Sequence, residues 1–301
     1  MAKISRQTIE IIKIVIFLSI TGFLLTAYVI YPLNKIKTIS ARINVDNFDQ
    51  DSLATNSGSL FSDGEIRIDT FSVESGEQIT IQALYINRSN MDDSARGTVL
   101  FLHKDESDRS QFTEQARILS SSGYQIVVYD QRASGFTNGK YRGDGQQEAT
   151  DLIEVLRYLD IRDKLFSPVT VVGFELGADA AILSADQGRF EKLVLINPHL
   201  TSQRMQDILK EKNELFWFPY YRTTMWYWYQ MRSGYETPYR KLEDIKAVKL
   251  PTLMFMNEKY KDDDELIRYV ELADEIQFTL RTLPVDESLN WDEIYQFIEK
   301  E

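Results

Sequence analysis

The sequence has no cysteine and two histidines, His103 and His199, among its 301 residues. The absence of cysteine excludes disulfides, thiolate nucleophiles, iron–sulfur clusters and zinc sites built on thiolates. Two histidines are too few for a histidine-rich metal site and leave few candidates for a general base. We therefore expect neither a metal nor a cofactor.

Basic residues are also scarce relative to acidic ones. The chain has 34 lysines and arginines against 46 aspartates and glutamates, a formal net charge of −12. This acidity argues against a nucleic-acid partner, because general binding to a phosphate backbone needs a basic face. The ordinary balance of 43% apolar and 27% charged residues excludes wholesale disorder and fibrous repeats.

One long apolar run is present, Ile14–Tyr31, whose 18 residues carry no charge. At about 1.5 Å rise per helical residue, the run nearly spans a hydrocarbon core of about 30 Å. Tyr28 and Tyr31 would lie at the membrane interface, and Pro32 is expected to end the helix. The alternative is a cleaved signal peptide, but the run exceeds the usual signal core and no small-residue cleavage site follows it.

These features predict a single-pass membrane protein with four segments. They are an N-terminal tail at residues 1–10, a transmembrane anchor at 11–31, a polar stalk at 32–63 and a folded domain at 64–301. Basic residues flank the anchor almost equally on both sides, so the positive-inside rule nearly ties. We expect the domain on the extracytoplasmic side of the membrane.

The folded domain begins with a predicted β-hairpin and continues with alternating strands and helices. The hairpin pairs Glu65–Val73 with Gln78–Ile86, and Gly76 lies in the turn. The later runs are short and apolar on both faces, as in buried parallel strands: Thr98–His103, Gln125–Tyr129, Val169–Val172, Lys192–Ile196, Pro251–Met256 and Gln277–Leu283. The pattern predicts an α/β fold with a mostly parallel sheet and helices on both faces.

A tight turn between a strand and a helix is the most informative motif. Residues 169–182 read VTVVGFELGADAAI, in which an apolar strand leads through G-F-E-L-G into a helix of small residues. This is the context of a nucleophile elbow, G-x-S-x-G, with Glu175 at the position of the nucleophile. The flanking glycines would allow a strained turn that raises the central side chain above the sheet.

At these residues the chain resembles the α/β-hydrolase superfamily, particularly its membrane-anchored serine-hydrolase branch with monoacylglycerol-lipase-like and serine-aminopeptidase-like motifs. Leu102-His103 resembles the start of the oxyanion loop, and the segment 129–139, YDQRASGFTNG, resembles the D-x-R-G-x-G-x-S-x-G loop. The segments 250–256 and 283–288 resemble the strand that delivers the catalytic acid and the loop that carries the catalytic histidine. The resemblance implies an α/β-hydrolase fold over about residues 65–300.

The triad that the resemblance implies is substituted at each position. Glu175 replaces the nucleophilic serine, Tyr260 falls where the aspartate is expected, and Ser288 falls where the histidine is expected. No histidine follows residue 199, so acyl transfer by the usual route lacks its general base. Lys104 also replaces the glycine of the oxyanion loop.

One catalytic alternative stays open, because each histidine follows a predicted strand that flanks the elbow. Pairing of Glu175 with His199 or His103 could support acid–base chemistry. The simpler interpretation is that His103 is a structural loop residue and that His199 begins the lid.

The segment between the sixth and seventh strands, about residues 199–249, is where this superfamily inserts a lid. It contains Trp217, Trp226 and Trp228, and the run TMWYWYQM has aromatics on consecutive positions that no helical or strand phase buries together. These residues and Leu176 are candidates for contacts with a small apolar ligand or a protein partner, and lid packing is the alternative. We expect a binding or regulatory pseudoenzyme; the alternative is a hydrolase of esters, amides or acyl lipids at a rearranged Glu175 site.

Overall fold

The N-terminal apolar run is helical in the computed structural model, which describes residues 6–39, 66–76, 78–88, 95–143, 145–187, 189–199, 220–233, 248–258, 278–283 and 289–300. Helix α1 comprises Arg6–Leu25, a π-helical turn comprises Thr26–Ile30, and helix α2 comprises Tyr31–Ile39. The helical stretch Arg6–Lys37 is long and apolar enough to cross a membrane or to serve as a signal sequence.

The expectation that Pro32 ends this helix is wrong. The Tyr31 N–H donates to the Thr26 carbonyl, five residues back, so the helix widens by one residue before the proline. Pro32 then lies in the first turn of α2, where proline is tolerated because the N–H groups of a first turn need no partner in that helix.

The chain divides into two compact units, residues 1–40 with 203–238 and residues 41–202 with 239–301. In the first unit, a helix at Tyr221–Ser233, here α6, packs against the π-helical turn and α2. The Tyr221 and Tyr31 rings lie 6.0 Å apart between centroids. The Trp228 indole N–H donates to the Tyr28 carbonyl at 3.0 Å.

The second unit contains a sheet whose eight described strands lie in the order β1-β2-β4-β3-β5-β6-β7-β8. Strand β2 pairs antiparallel with both β1 and β4. The other pairs, β4–β3, β3–β5, β5–β6, β6–β7 and β7–β8, are parallel. The strands are β1 Ile66–Ser75, β2 Ile79–Arg88, β3 Thr98–Leu102, β4 Gln125–Tyr129, β5 Val169–Phe174, β6 Lys192–Ile196, β7 Thr252–Asn257 and β8 Phe278–Leu283. The predicted hairpin and mostly parallel sheet are confirmed.

Helices cover both faces of this sheet. They are α3 Thr113–Ser121, preceded by a 3₁₀ turn at Arg109–Phe112, then α4 Gln146–Ile161, α5 Leu176–Leu183 and α7 Trp291–Glu299. One core joins α4 and α5 to the sheet, and the other joins α3 and α7 to it. Strand side chains alternate between the two, so that Val127 belongs to the first core and Val128 to the second. Helices therefore cover both faces of the sheet, so a site is expected at the loops that follow the carboxyl ends of the strands.

Candidate functional site

The elbow is formed as its sequence predicts, with Glu175 between the end of β5 and the start of α5. Glu175 has φ 48° and ψ −110°, a backbone conformation that residues with a side chain rarely adopt. Its N–H donates to the Ile196 carbonyl at the end of β6 at 2.8 Å, and its carbonyl accepts from the Asp179 N–H at 3.0 Å. The strained turn is therefore held from both sides by backbone hydrogen bonds, and the Glu175 side chain is partly exposed.

The two elbow glycines are required by close packing. A Cβ at Gly173 would lie 2.6 Å from the Gly177 carbonyl oxygen and 2.7 Å from the Ala178 backbone. A Cβ at Gly177 would lie 2.6 Å from both the Cβ and the carbonyl oxygen of Leu102. These distances are too short for any side chain, so the geometry that serves a nucleophile elbow remains although the nucleophile is replaced.

His103 is locked into the loop that follows β3. Its Nε2 accepts from the Gln131 backbone N–H at 2.9 Å, so Nδ1 carries the proton and donates to the Lys104 carbonyl at 2.8 Å. Burial lowers the pKa of this imidazole, because the charged form would lose its hydration. With both ring nitrogens engaged by the backbone, His103 is not paired with Glu175.

The second histidine is bound to a carboxylate that sequence analysis missed. Asp179 lies one helical turn after Glu175 on α5 and is fully buried. Its Oδ1 accepts from the His199 backbone N–H at 2.7 Å, and its Oδ2 lies 2.6 Å from His199 Nδ1. This pair fixes the orientation of the His199 ring through Nδ1. No hydrogen bond joins His199 to Glu175 in the described part of the chain.

The loop after β4 encloses a buried carboxylate, that of Asp130. Asp130 accepts from the Arg109 and Phe136 backbone N–H groups, each at 2.9 Å. Gly135 has φ 47°, and a Cβ there would lie 2.4 Å from the Asp130 carboxyl. Burial raises the pKa of Asp130. The motif that resembles D-x-R-G-x-G-x-S-x-G thus shapes a loop in this chain.

A second buried network ties the same loop to α4 and the hairpin. Arg132 contacts both oxygens of Asp151, at 2.8 and 2.6 Å, and Asp151 also accepts from the Ser75 hydroxyl at 2.5 Å. Glu148 accepts from the Gly143 and Gly145 N–H groups, and burial raises its pKa. Each of these carboxylates has polar partners, so the network stabilises the loop.

Several predicted site residues lie outside the described residues, namely Tyr260, Ser288 and Trp217. The backbone of Trp226 is described as part of α6, but its side chain is not. Of the predicted lid, residues 199, 220–233 and 248–249 are described. Leu176 is buried as the first residue of α5, and Trp228 contacts the N-terminal helix. Among described residues, no group of three or more His, Asp or Glu side chains is arranged to hold a metal ion.

Sequence analysis missed Asp179 because the residue lies in an apolar helix without a motif of its own. The signal that could have found it is the spacing of four residues from Glu175, which places a carboxylate on the first turn of α5. Its pairing with His199 is a contact between residues 20 apart, with strand β6 between them, and a single sequence gives no sign of it.

Solved structures with the same fold are esterases and related hydrolases. Esterase Pf2001 of Pyrococcus furiosus superposes with a TM-score of 0.61 at 18% identity, over 79% of this chain and 92% of the esterase. The α/β hydrolase GrgF of Penicillium sp. sh18 gives 0.54 at 14% identity over 77% and 98%, and esterase EaEST of Exiguobacterium antarcticum gives 0.51 at 18% over 77% and 97%. No protein-family model matches the sequence. The chain therefore has the α/β-hydrolase fold, and identities this low show the fold alone.

Proposed function

We propose that this chain is a membrane-anchored protein that keeps the α/β-hydrolase fold, has lost the Ser-Asp-His triad, and acts by binding. The observation that carries the proposal is Glu175, which occupies the strained elbow in the conformation that presents a nucleophile in active relatives. A carboxylate is a weaker nucleophile than an activated serine alkoxide, and His103, one of the two imidazoles in the chain, is held by the backbone on both nitrogens.

Charge at the elbow adds a second argument against acyl transfer. The tetrahedral intermediate of an ester or amide develops a negative oxygen close to the central elbow residue. Two unit charges about 4 Å apart in a partly desolvated site repel by about 4 kcal/mol. An ionised Glu175 carboxylate would therefore oppose the developing charge and raise the barrier.

We assign the binding role to the aromatic residues of the predicted lid. We propose a small apolar ligand or a protein partner there, because Trp and Tyr side chains combine a large apolar area with a polar tip. We further propose that the N-terminal helix stays in the membrane and that the domain lies on the extracytoplasmic side. We also propose that the chain is related to the membrane-anchored serine-hydrolase branch of the α/β-hydrolase superfamily.

The test is to assay turnover and binding together on the full chain in nanodiscs. Turnover is followed with p-nitrophenyl esters from acetate to laurate, and binding with a fluorescent monoacylglycerol analogue. We expect saturable binding without hydrolysis above the uncatalysed rate. Hydrolysis that Glu175→Gln abolishes, while the surface control Glu114→Gln leaves it unchanged, would overturn the pseudoenzyme proposal.

The Asp179–His199 pair favours one alternative function, hydrolysis by a rearranged site. In this scheme Glu175 would act as nucleophile or base, and His199 Nε2 would exchange the proton while Asp179 holds the ring. Under this alternative, Glu175→Gln and His199→Gln would each abolish ester hydrolysis, and Asp179→Asn would reduce kcat more than it changes KM. If no ester is hydrolysed by the unmodified chain, the alternative fails.

A further inference from the structure

The helix α6, which carries two of the predicted lid tryptophans, has one face turned towards the N-terminal helix. Tyr221 and Met225 are buried, Tyr221 lies against Tyr31, and the Trp228 indole N–H reaches the Tyr28 carbonyl. In a regular α-helix the N–H of residue 32 would donate to the carbonyl of residue 28. Residue 32 is proline and has no N–H, so this donor is absent, and the Trp228 indole N–H donates to the Tyr28 carbonyl.

A second side of α6 also carries apolar residues, but these are exposed. Tyr220 is 80% exposed, Tyr227 53% and Met231 62%. Tyr227 and Met231 are four residues apart, which puts them on one stripe of α6, whereas Tyr220 precedes the helix and has φ 58°. A soluble helix normally turns polar side chains outward, so this stripe calls for an apolar partner.

The position of the stripe identifies that partner. The carbonyl that receives Trp228 belongs to the C-terminal end of the apolar run, where a spanning helix would leave the hydrocarbon core. The apolar side chains of α1 are exposed in the same way, for example Phe17 at 67% and Leu18 at 61%. The α6 sequence YRTTMWYWYQMRS also carries two arginines and no acidic residue, in a chain with a net charge of −12. Local positive charge suits anionic headgroups.

We infer that α6 is an interfacial helix whose exposed stripe, Tyr227 and Met231, lies in the headgroup boundary of an anionic lipid bilayer. Trp228 and Tyr221 fix it to the helix that crosses the same bilayer. Tyrosine suits this boundary because its ring is apolar and its hydroxyl is polar. The inference rests on the membrane anchoring in the proposed function and adds a second lipid contact to it.

The absence of cysteine makes a direct test available, because any introduced cysteine is the single labelling site. Full-length Tyr227→Cys and Met231→Cys are labelled with an environment-sensitive nitrobenzoxadiazole dye and reconstituted in vesicles of phosphatidylcholine and phosphatidylglycerol. Doxyl-labelled lipids, with the quencher near the headgroup or near the chain end, report depth. Phe17→Cys serves as the control within the membrane helix, and Ile161→Cys, 70% exposed at the end of α4, as the control on the second unit.

We expect the dye at 227 and 231 to shift to the blue and to lose more intensity with the headgroup-proximal quencher. The dye at 17 should respond more to the deep quencher, and the dye at 161 to neither. Quenching at 17 without quenching at 227 and 231 would overturn the inference and leave anchoring intact. No quenching at 17 would instead overturn the anchoring on which the inference depends. Cross-linking of Met231→Cys chains together with loss of lipid quenching would assign the stripe to a second copy and overturn the inference.

Discussion

Asp179 holds His199 through both of its carboxylate oxygens. One oxygen accepts from the backbone N–H at 2.7 Å, and the other lies 2.6 Å from Nδ1 of the ring. Because Asp179 lies on the first turn of α5 and His199 follows β6, the pair connects the elbow helix to the loop that begins the predicted lid. Both residues are buried, so these hydrogen bonds are shielded from water.

Replacement of Asp179 by asparagine should destabilise the second unit although the shape of the side chain is kept. An amide has one oxygen, so either the His199 backbone N–H or its ring donor would lose a buried acceptor, at a cost of about 1–3 kcal/mol. Urea unfolding of the full chain, followed by near-ultraviolet circular dichroism, measures the change. The exposed control Asp186→Asn should change the free energy of unfolding by less than about 0.5 kcal/mol. Equal effects of the two variants would contradict a stabilising role for the pair.

Glycine at position 175 should give a more stable protein than alanine at that position. Both variants remove the carboxylate, so their difference isolates the backbone, which has φ 48° there. In a regular helix or strand glycine is worse than alanine by about 0.5–1 kcal/mol, whereas here the strain of about 1–3 kcal/mol falls on alanine. We expect Glu175→Gly to exceed Glu175→Ala by about 1 kcal/mol in urea unfolding. An alanine variant that is equally or more stable would show that the elbow is not strained.

The sequence predicts those parts of the fold that depend on local pattern. The strands Gln125–Tyr129 and Lys192–Ile196 begin and end where the apolar runs do, because short runs without a helical period are typical of buried parallel strands. The elbow is predicted for a similar reason, since the glycines at 173 and 177 are needed by contacts within a few residues and with the neighbouring strand.

Contacts between distant segments could not be predicted in this way. The continuation of the N-terminal helix beyond Pro32 depends on a π-helical turn, for which the sequence has no signature. The Tyr28 carbonyl in that turn accepts a hydrogen bond from the indole N–H of Trp228, 200 residues away. The sequence shows a carboxylate, Asp179, one turn after Glu175, but it does not show that His199 is its partner. Prediction of the site chemistry therefore needs the tertiary structure, whereas prediction of the sheet architecture does not.

The stability of the second unit should fall when the pH decreases below the ordinary histidine pKa of 6.5, because of His103. Burial lowers the pKa of His103 in the folded state, so below pH 6.5 the unfolded chain takes up this proton more readily than the folded one. The contribution of His103 is thus present above pH 6.5 and is lost as the pH falls towards the lowered pKa, with a slope of at most about 1.4 kcal/mol per pH unit.

The variant His103→Gln isolates this contribution from the carboxylates that titrate at lower pH. Glutamine can accept the Gln131 N–H but cannot titrate, so urea unfolding between about pH 7 and pH 5.5 should show a shallower slope than in the unmodified chain. An identical slope in the two proteins would mean that His103 takes up its proton equally in both states.

Loss of the Trp228 indole N–H should loosen α6 without changing its ring packing greatly. In Trp228→Phe the Tyr28 carbonyl loses a hydrogen bond worth about 1 kcal/mol, which corresponds to about fivefold more frequent opening of the contact. Hydrogen–deuterium exchange of the full chain in detergent micelles, read by mass spectrometry over residues 220–233, should therefore be about fivefold faster. The matched control is Tyr227→Phe, which keeps an exposed ring and removes only its hydroxyl, and it should leave exchange unchanged. Because the expected difference comes from one N–H group, equal exchange in the two variants would show that Trp228 does not hold α6 to the N-terminal helix.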